Sequence, residues 1–318
     1  MIVFERRACA ILFNLLRTRG DARPFLLPAN VCPIVPVTFL EARQPFELID
    51  ISDETLAMDA SIVFDRLRTR AYAGILFVRP YGSERNLSPF FAEVKRLQRG
   101  LFVIDDKCLC RPDYDGTNLS VHADATLFST GHAKYNDLGD GGFAHLAEHV
   151  EYRSTRAPFR EDALSAVTRE YERAIATHTR FGDAPPGWLD LREPAYSWDE
   201  YRQQMSVSAP EVDDHKAALN AIYAHELPSE IQLAEEFQGW RFNIRVARAK
   251  ELLASIFGAG LFASRHYASL GAAFASEGFP IAERLHEGIV NLFNDRYFIE
   301  KQALAVVELV RRHVDMSD

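Results

Sequence analysis

In FSTGHAKYNDLGDGGFA, residues 128–144, one lysine, Lys134, stands between a small polar run and a glycine cluster, where nothing apolar would fix it in a core. Ser129 lies five residues before it, and Gly139-Asp140-Gly141-Gly142 begins five residues after it. A hydroxyl, an amine and backbone free of side chains could together cradle an anion beside a nucleophile. Such an amine attacks only when neutral, so its chemistry requires an enclosed polar site that lowers its pKa. Taken alone, the stretch also fits an ordinary glycine-rich loop. The second candidate is Asp106, which directly follows the apolar run LFVID (101–105).

The elements that must position these residues are legible in the same region. GILFV (74–78), the amphipathic SPFFAEVKRLQRG (88–100) and LFVID make a strand, a helix and a second strand, with Phe90, Phe91, Val94 and Leu97 on one helical face and Gly100 as a stop. Such a β-α-β unit predicts a mainly parallel sheet covered by helices on both faces, an α/β fold whose ligands sit at the carboxyl ends of the strands. LFVID runs into Asp106 and ATLFST (125–130) runs towards Lys134, so both candidates belong at that edge. A carboxylate and a lysine there suit pyridoxal 5'-phosphate: the lysine forms an imine, and the carboxylate keeps the pyridine nitrogen protonated.

The spacing of Ser129, Lys134 and the Gly-Asp-Gly-Gly run resembles that of the DegT/StrS family of sugar aminotransferases. Further segments resemble that family in the same order: LLPANVCP (26–33), VRPYG (78–82), VIDDKCLC (103–110), ASRHYASL (263–270) and HEGIVNLF (286–293). The resemblance implies a divergent member with a fold-type-I pyridoxal-phosphate transferase architecture. It implies Lys134 as the imine lysine, Asp106 as partner of the pyridine nitrogen and Ser129 as a phosphate ligand. An amino-acid donor, a keto sugar carried on a nucleotide as acceptor, and a homodimer with active sites at its interface are implied as well. Three positions depart from the family pattern. Leu109 stands where the family has Gln or His near the cofactor's phenolic oxygen, Arg79 replaces a His, and Arg6-Arg7 replace a Gly-Thr or Gly-Arg pair at the phosphate. A different carbonyl acceptor, a dehydratase or other pyridoxal-phosphate reaction, and a non-catalytic relative that binds a ligand or regulates all stay open.

Other residues are weighed against plainer roles. His132 could stack on a cofactor ring or bond within its loop, and His266 with Tyr267 could reach the pocket from the C-terminal region. Arg241 and Arg245 could hold a carboxylate through paired N–H groups, or be surface charge. Arg79 is a substrate candidate, whereas Lys107 next to Asp106 points to the opposite face and is expected in a salt bridge. HLAEH (145–149) matches a zinc-protease pattern, but it follows a glycine pair and reads as a strand, so no metal is expected. Cys9, Cys32, Cys108 and Cys110 lack zinc-ribbon spacing and are expected as buried free thiols.

The chain has 318 residues and a formal charge of -9, without a basic stripe, which argues against nucleic acid as a partner. Glu5, Arg6 and Arg7 interrupt what would be a signal peptide's apolar region, and no later run is long enough to span a membrane, so a soluble cytoplasmic protein is expected. Residues 1–204 are expected to form a large cofactor-binding domain and 205–318 a small α+β domain, with a boundary after the breaker-rich FGDAPPGWLDLREPAYSW.

Overall fold

The computed structural model describes residues 1–275 and 277–315. Seven strands, β1 (Ile2–Glu5), β2 (Phe25–Pro28), β3 (Phe46–Ile49), β4 (Gly74–Val78), β5 (Phe102–Asp106), β6 (Ala125–Ser129) and β7 (Gly142–Leu146), form one sheet. Their spatial order is β1-β7-β6-β5-β4-β2-β3, with β7 antiparallel to both neighbours and the other six strands sharing one direction. The strands expected at GILFV, LFVID, ATLFST and the HLAEH stretch are present, and PFLLP forms β2. β1 was not among the expected strands. Four residues are too few for a periodic signal; β1 holds through its ladder to β7 and through the Met1 ammonium, which donates to Leu146 O at 2.8 Å.

Helices α1 (Ala8–Arg19) and α2 (Ile34–Glu41) lie on one face of this sheet, α3 (Ala60–Thr69) and α4 (Ser88–Leu97) on the other. The two-residue alternation of the strands decides which core each side chain joins. Leu27, Leu76 and Ile104 enter the core under α1 and α2, whereas Leu26, Ile75 and Val103 enter the one under α3 and α4. Asp106 continues the series of Phe102 and Ile104 and therefore faces the α1 side; Asp105 faces the other. Where β7 passes the start of α1, Gly142 leaves room for backbone alone: a Cβ there would stand 2.3 Å from Ala8 N.

After α5 (Glu161–Ala176) comes α6, a 29-residue helix from Trp198 to Glu226 that opens on a capping box between Ser197 and Glu200. It continues through Pro210, and the expected boundary at residue 205 falls inside it. Its first turns set Tyr201 and Met205 against Phe128 and Phe143 of the large sheet, and its last turns set Leu219 and Tyr223 into a second core. That core covers a three-stranded antiparallel sheet, β8 (Phe242–Arg245), β9 (Ala263–Ser264) and β10 (Ile289–Leu292), in the order β8-β10-β9. α7 (Ala249–Gly258) and α10 (Glu300–Asp315) complete it, whereas α8 (Gly271–Phe274) and α9 (Pro280–Gly288) pack back on the large domain.

Because a side chain at Gly142 would meet backbone, which cannot rotate away, Gly142→Ala is expected to destabilise the fold by about 3 kcal/mol or more. Chemical denaturation measures it, and a variant within about 0.5 kcal/mol of wild type would contradict this close approach.

Candidate active site

A cavity of about 380 Å³ opens at the carboxyl ends of β5 and β6, between the start of α1, α5 and the loop that carries Lys134. Asp106, Ser129 and Lys134 all line it, as the sequence required. Asp106 is 7% exposed and accepts the Cys108 N–H at 2.9 Å. Burial pushes its carboxyl above its ordinary pKa, an effect that the Cys108 contacts and the charge of Lys134 only partly reverse. A buried carboxylate in this condition gains from a cationic partner inside the cavity. Cys9, Cys32 and Cys108 line the same space, and burial holds each thiol above its usual pKa. All four cysteines are free; Cys110 is buried as expected, whereas Cys9, Cys32 and Cys108 are half-buried because they border this cavity.

One side of the cavity is built for an anion. Ser129 Oγ accepts the Gly131 N–H at 3.3 Å, and Arg7 Nη1 reaches over Gly131 to donate to Gly139 O at 3.1 Å. Arg7 is also the N-cap of α1. It makes no side-chain cap, and the first turn has no acidic residue, so the positive end of the helix meets the cavity at Ala8 and Cys9. Arg6 does not join it. Adjacent residues point apart, and Arg6 bonds Asp140 at 2.9 Å and lies 3.5 Å from Asp190, behind the cavity wall.

The small domain supplies a second cationic group. Arg241 is 4% exposed, its guanidinium 3.6 Å from the Phe293 ring centre and 4.5 Å from that of Trp240. It donates to Ser264 Oγ at 2.5 Å; among the described residues no carboxylate lies within ion-pair distance, and burial lowers its pKa to about 10. His266 shares Ser264 Oγ at 3.0 Å, and burial, Arg241 and Lys134 hold it neutral with a pKa of about 3. His266 thus stands within electrostatic reach of both Arg241 and Lys134.

Other sequence candidates are placed elsewhere. Arg79 is spent on Asp105, with Nε 2.7 Å from Oδ1 and Nη2 2.8 Å from Oδ2, on the sheet face away from the cavity. Lys107 is salt-bridged to Glu84 at 2.6 Å, as expected. His132 lies at the mouth with its side chain 80% exposed, so it encloses nothing. Leu109 packs beside Tyr81 and Tyr267, and Cys108 is the side chain of that turn that reaches the cavity. Arg245 forms a surface pair with Asp53. In HLAEH, His145 bonds Asp113 O and His149 bonds Asp124, so the two histidines have separate partners. Sequence reasoning missed Trp240, Tyr171, Asp190 and Lys216. Trp240 is one of only three tryptophans, which is the one compositional signal that pointed to it.

No family model and no curated protein matches the chain. Solved structures do. A Streptococcus pneumoniae protein designated a sugar aminotransferase, Spr1654, in its PLP form, shares 16% identity at a TM-score of 0.74, over 99% of this chain and 87% of its own. A DegT DnrJ EryC1 StrS aminotransferase from Brucella abortus shares 15% at a TM-score of 0.69, over 98% and 86%. The sugar aminotransferase CalS13 from Micromonospora echinospora shares 20% at 0.66, over 98% and 87%. The fold is that of the sugar aminotransferases. Among the described residues no helix is long and apolar enough to cross a membrane.

Within this aminotransferase fold, Lys216 of α6 is the most perturbed amine. It is 4% exposed and donates to Trp240 O at 2.6 Å and Asn294 Oδ1 at 2.9 Å, which a neutral amine's two hydrogens satisfy. Burial lowers its pKa from 10.5 to about 7. Between those values the unfolded chain holds a proton that the folded one has released, so stability climbs with pH, by up to about 1.4 kcal/mol per unit. Lys216→Met is expected to remove that slope. Denaturation of both proteins at pH 7, 8 and 9 checks it; parallel curves would mean that the folded protein keeps the amine charged.

Proposed function

We propose that the chain is a pyridoxal-phosphate-dependent aminotransferase, a cytoplasmic homodimer that moves an amino group from an amino acid to a keto sugar or related carbonyl compound. The observation that carries this reading is the enclosure of the Lys134 amine and the Asp106 carboxylate in one cavity beside an anion cup. The residues fit the cofactor group by group. Asp106 lacks a cation that a protonated ring nitrogen would supply, and Ser129, Gly131, Arg7 and the start of α1 suit a phosphate. When bound, the cofactor supplies an aldehyde that condenses with amines and a ring that withdraws electrons from the substrate carbon.

The chain's own residues do the rest. With the cofactor bound, the Lys134 amine would hold it and would move protons to and from the reacting carbon as a general base and acid. Asp106 would keep the ring nitrogen protonated. Arg241, desolvated and without a carboxylate of its own, holds the donor's carboxylate, and its two aromatic neighbours fix the plane of the guanidinium. Neutral His266 adds no charge to compete. Leu164, Thr168 and Tyr171 of α5 and the Trp188–Asp190 segment wall the cavity that Lys134 enters. Free thiols throughout agree with a reducing compartment.

Borohydride treatment of cofactor-loaded protein followed by peptide mapping is expected to place the pyridoxyl group on Lys134; a label on Lys107, or none, defeats the proposal. Asp106→Asn is expected to bind cofactor yet lose at least about a hundredfold in turnover, near 2.7 kcal/mol of transition-state stabilisation. Arg241→Ala should raise KM for amino-acid donors about tenfold or more and leave amines without a carboxylate unaffected, since the lost contact is charge-assisted. Equal losses for both donor classes would remove Arg241 from that role.

A further inference from the structure

The backbone on either side of Lys134 is held by residues outside the cofactor cavity. Ala133 has a left-handed φ of +58°, uncommon for a side chain with a Cβ, and its N–H donates to Asp137 Oδ2 at 2.8 Å. Its carbonyl, the last group before Lys134, accepts Trp240 Nε1 at 2.7 Å. On the other side, Tyr135 donates its hydroxyl to Asp213 Oδ1 at 2.8 Å, and the Lys216 amine lies 4.9 Å from its ring centre. Asn136 donates to Ser208 Oγ at 2.9 Å. Asp213, Lys216 and Ser208 all belong to α6, and Trp240 immediately precedes the β8 strand of the small domain by two residues.

Trp240 is itself over-determined. Its N–H donates to Tyr81 O at 3.0 Å, its carbonyl accepts Lys216 Nζ at 2.6 Å, and it is buried. The indole N–H therefore arrives at Ala133 from a fixed position. Lys134 begins from a peptide with little freedom to turn, while its own long side chain extends into the cavity.

We propose that Trp240 and the Tyr135–Asp213 pair are positioning residues for Lys134: the small domain and α6 set the direction in which the amine enters the cavity. The proposal rests on the reading of Lys134 as the cofactor lysine, but the placement it describes exists in the protein without cofactor. Neither residue touches the reacting atoms. Each acts through the peptide flanking Lys134, so removing one bond should change how Lys134 presents its amine more than whether the cavity binds the cofactor's phosphate.

Two variants keep most of the packing. Trp240→Phe removes the indole N–H, and Tyr135→Phe removes one hydroxyl. In cofactor-free protein, labelling with an amine-reactive anhydride and quantitation by mass spectrometry should show Lys134 reacting at a rate changed by about fivefold or more in either variant, the equilibrium effect of one lost hydrogen bond. The other lysines serve as internal references. In loaded protein the same variants should move the pH midpoint of the visible band and lower kcat about tenfold or more, with KM for the donor less affected. Unchanged Lys134 labelling and an unmoved midpoint in both variants overturn the proposal. If Trp240→Phe fails to fold, Tyr135→Phe decides by the same readings. A wild-type protein that binds no cofactor refutes the proposed function instead, and the labelling of cofactor-free protein still decides this inference.

Discussion

A carboxylate buried at the end of a fully covered parallel strand is the constraint on which this site depends. Asp106 cannot avoid that place, since β5 is buried along its whole length and the two-residue alternation turns the side chain towards α1. Water cannot stabilise its charge there, and the thiol and backbone N–H of Cys108 are little compensation. The cavity answers with positive charge. Lys134 comes from the next strand's loop, Arg7 from the helix start opposite, and the α1 dipole adds its own field. A ligand that brings both an anion for the cup and a cation for Asp106 satisfies both ends of the cavity at once.

The small domain meets a related constraint from the opposite sign. Arg241 and Lys216 are buried basic groups without an ion-paired carboxylate: burial lowers the pKa of both, the charge of Arg241 lowers that of Lys216 further, and Asp295 only partly offsets this for each. Lys216 solves this by giving up its proton near neutral pH and bonding two carbonyl-type oxygens. An arginine has no such exit, because its guanidinium stays protonated at any physiological pH. The charge at Arg241, only partly offset by Asp295, is therefore retained at a cost, and an incoming anion would relieve it. α6 makes this arrangement possible: one continuous helix carries Tyr201 in the large domain's packing and Lys216 and Tyr223 in the small domain's, which fixes the two halves of the cleft relative to one helix axis.

The large domain was legible because its signals are local. The runs GILFV, LFVID and ATLFST are short, continuous and apolar, and the intervening helix has one clear face, so the strand ends and hence Asp106, Ser129 and Lys134 could be assigned to one edge. β1 and β3 were missed for the same reason in reverse: four residues at or near a sheet edge need little hydrophobic pattern to pair. The expected boundary at residue 205 falls inside α6, which runs on through Pro210 because a long helix packed against two cores tolerates one lost bond. Trp240, Tyr171 and Lys216 have no spacing relation to Lys134. Their place depends on how the two domains meet, and chain separation hides it.

What the sequence could not separate was which of several similar residues would be left with unused charge. Asp105 and Asp106 are adjacent, yet Asp105 is closed by the two-pronged contact of Arg79 while Asp106 faces a cavity. Lys107 is neutralised by Glu84, and Lys134 has no such ion pair among the described residues. Arg79 has its carboxylate, and Arg241 has only a hydroxyl and two rings. In each pair the residue type is the same and the neighbours differ. A charge already matched within the fold lends stability and specificity of packing, and has nothing left for a ligand. The unmatched member is held by the rest of the structure against its electrostatic preference: Asp106 and Lys134 line one cavity, and Arg241 stands in the small domain with His266 between its field and that of Lys134. Function here is the remainder after the fold's internal pairings are complete, which is why residue identity alone nominated Arg79 and Arg241 equally, and only the finished set of contacts told them apart.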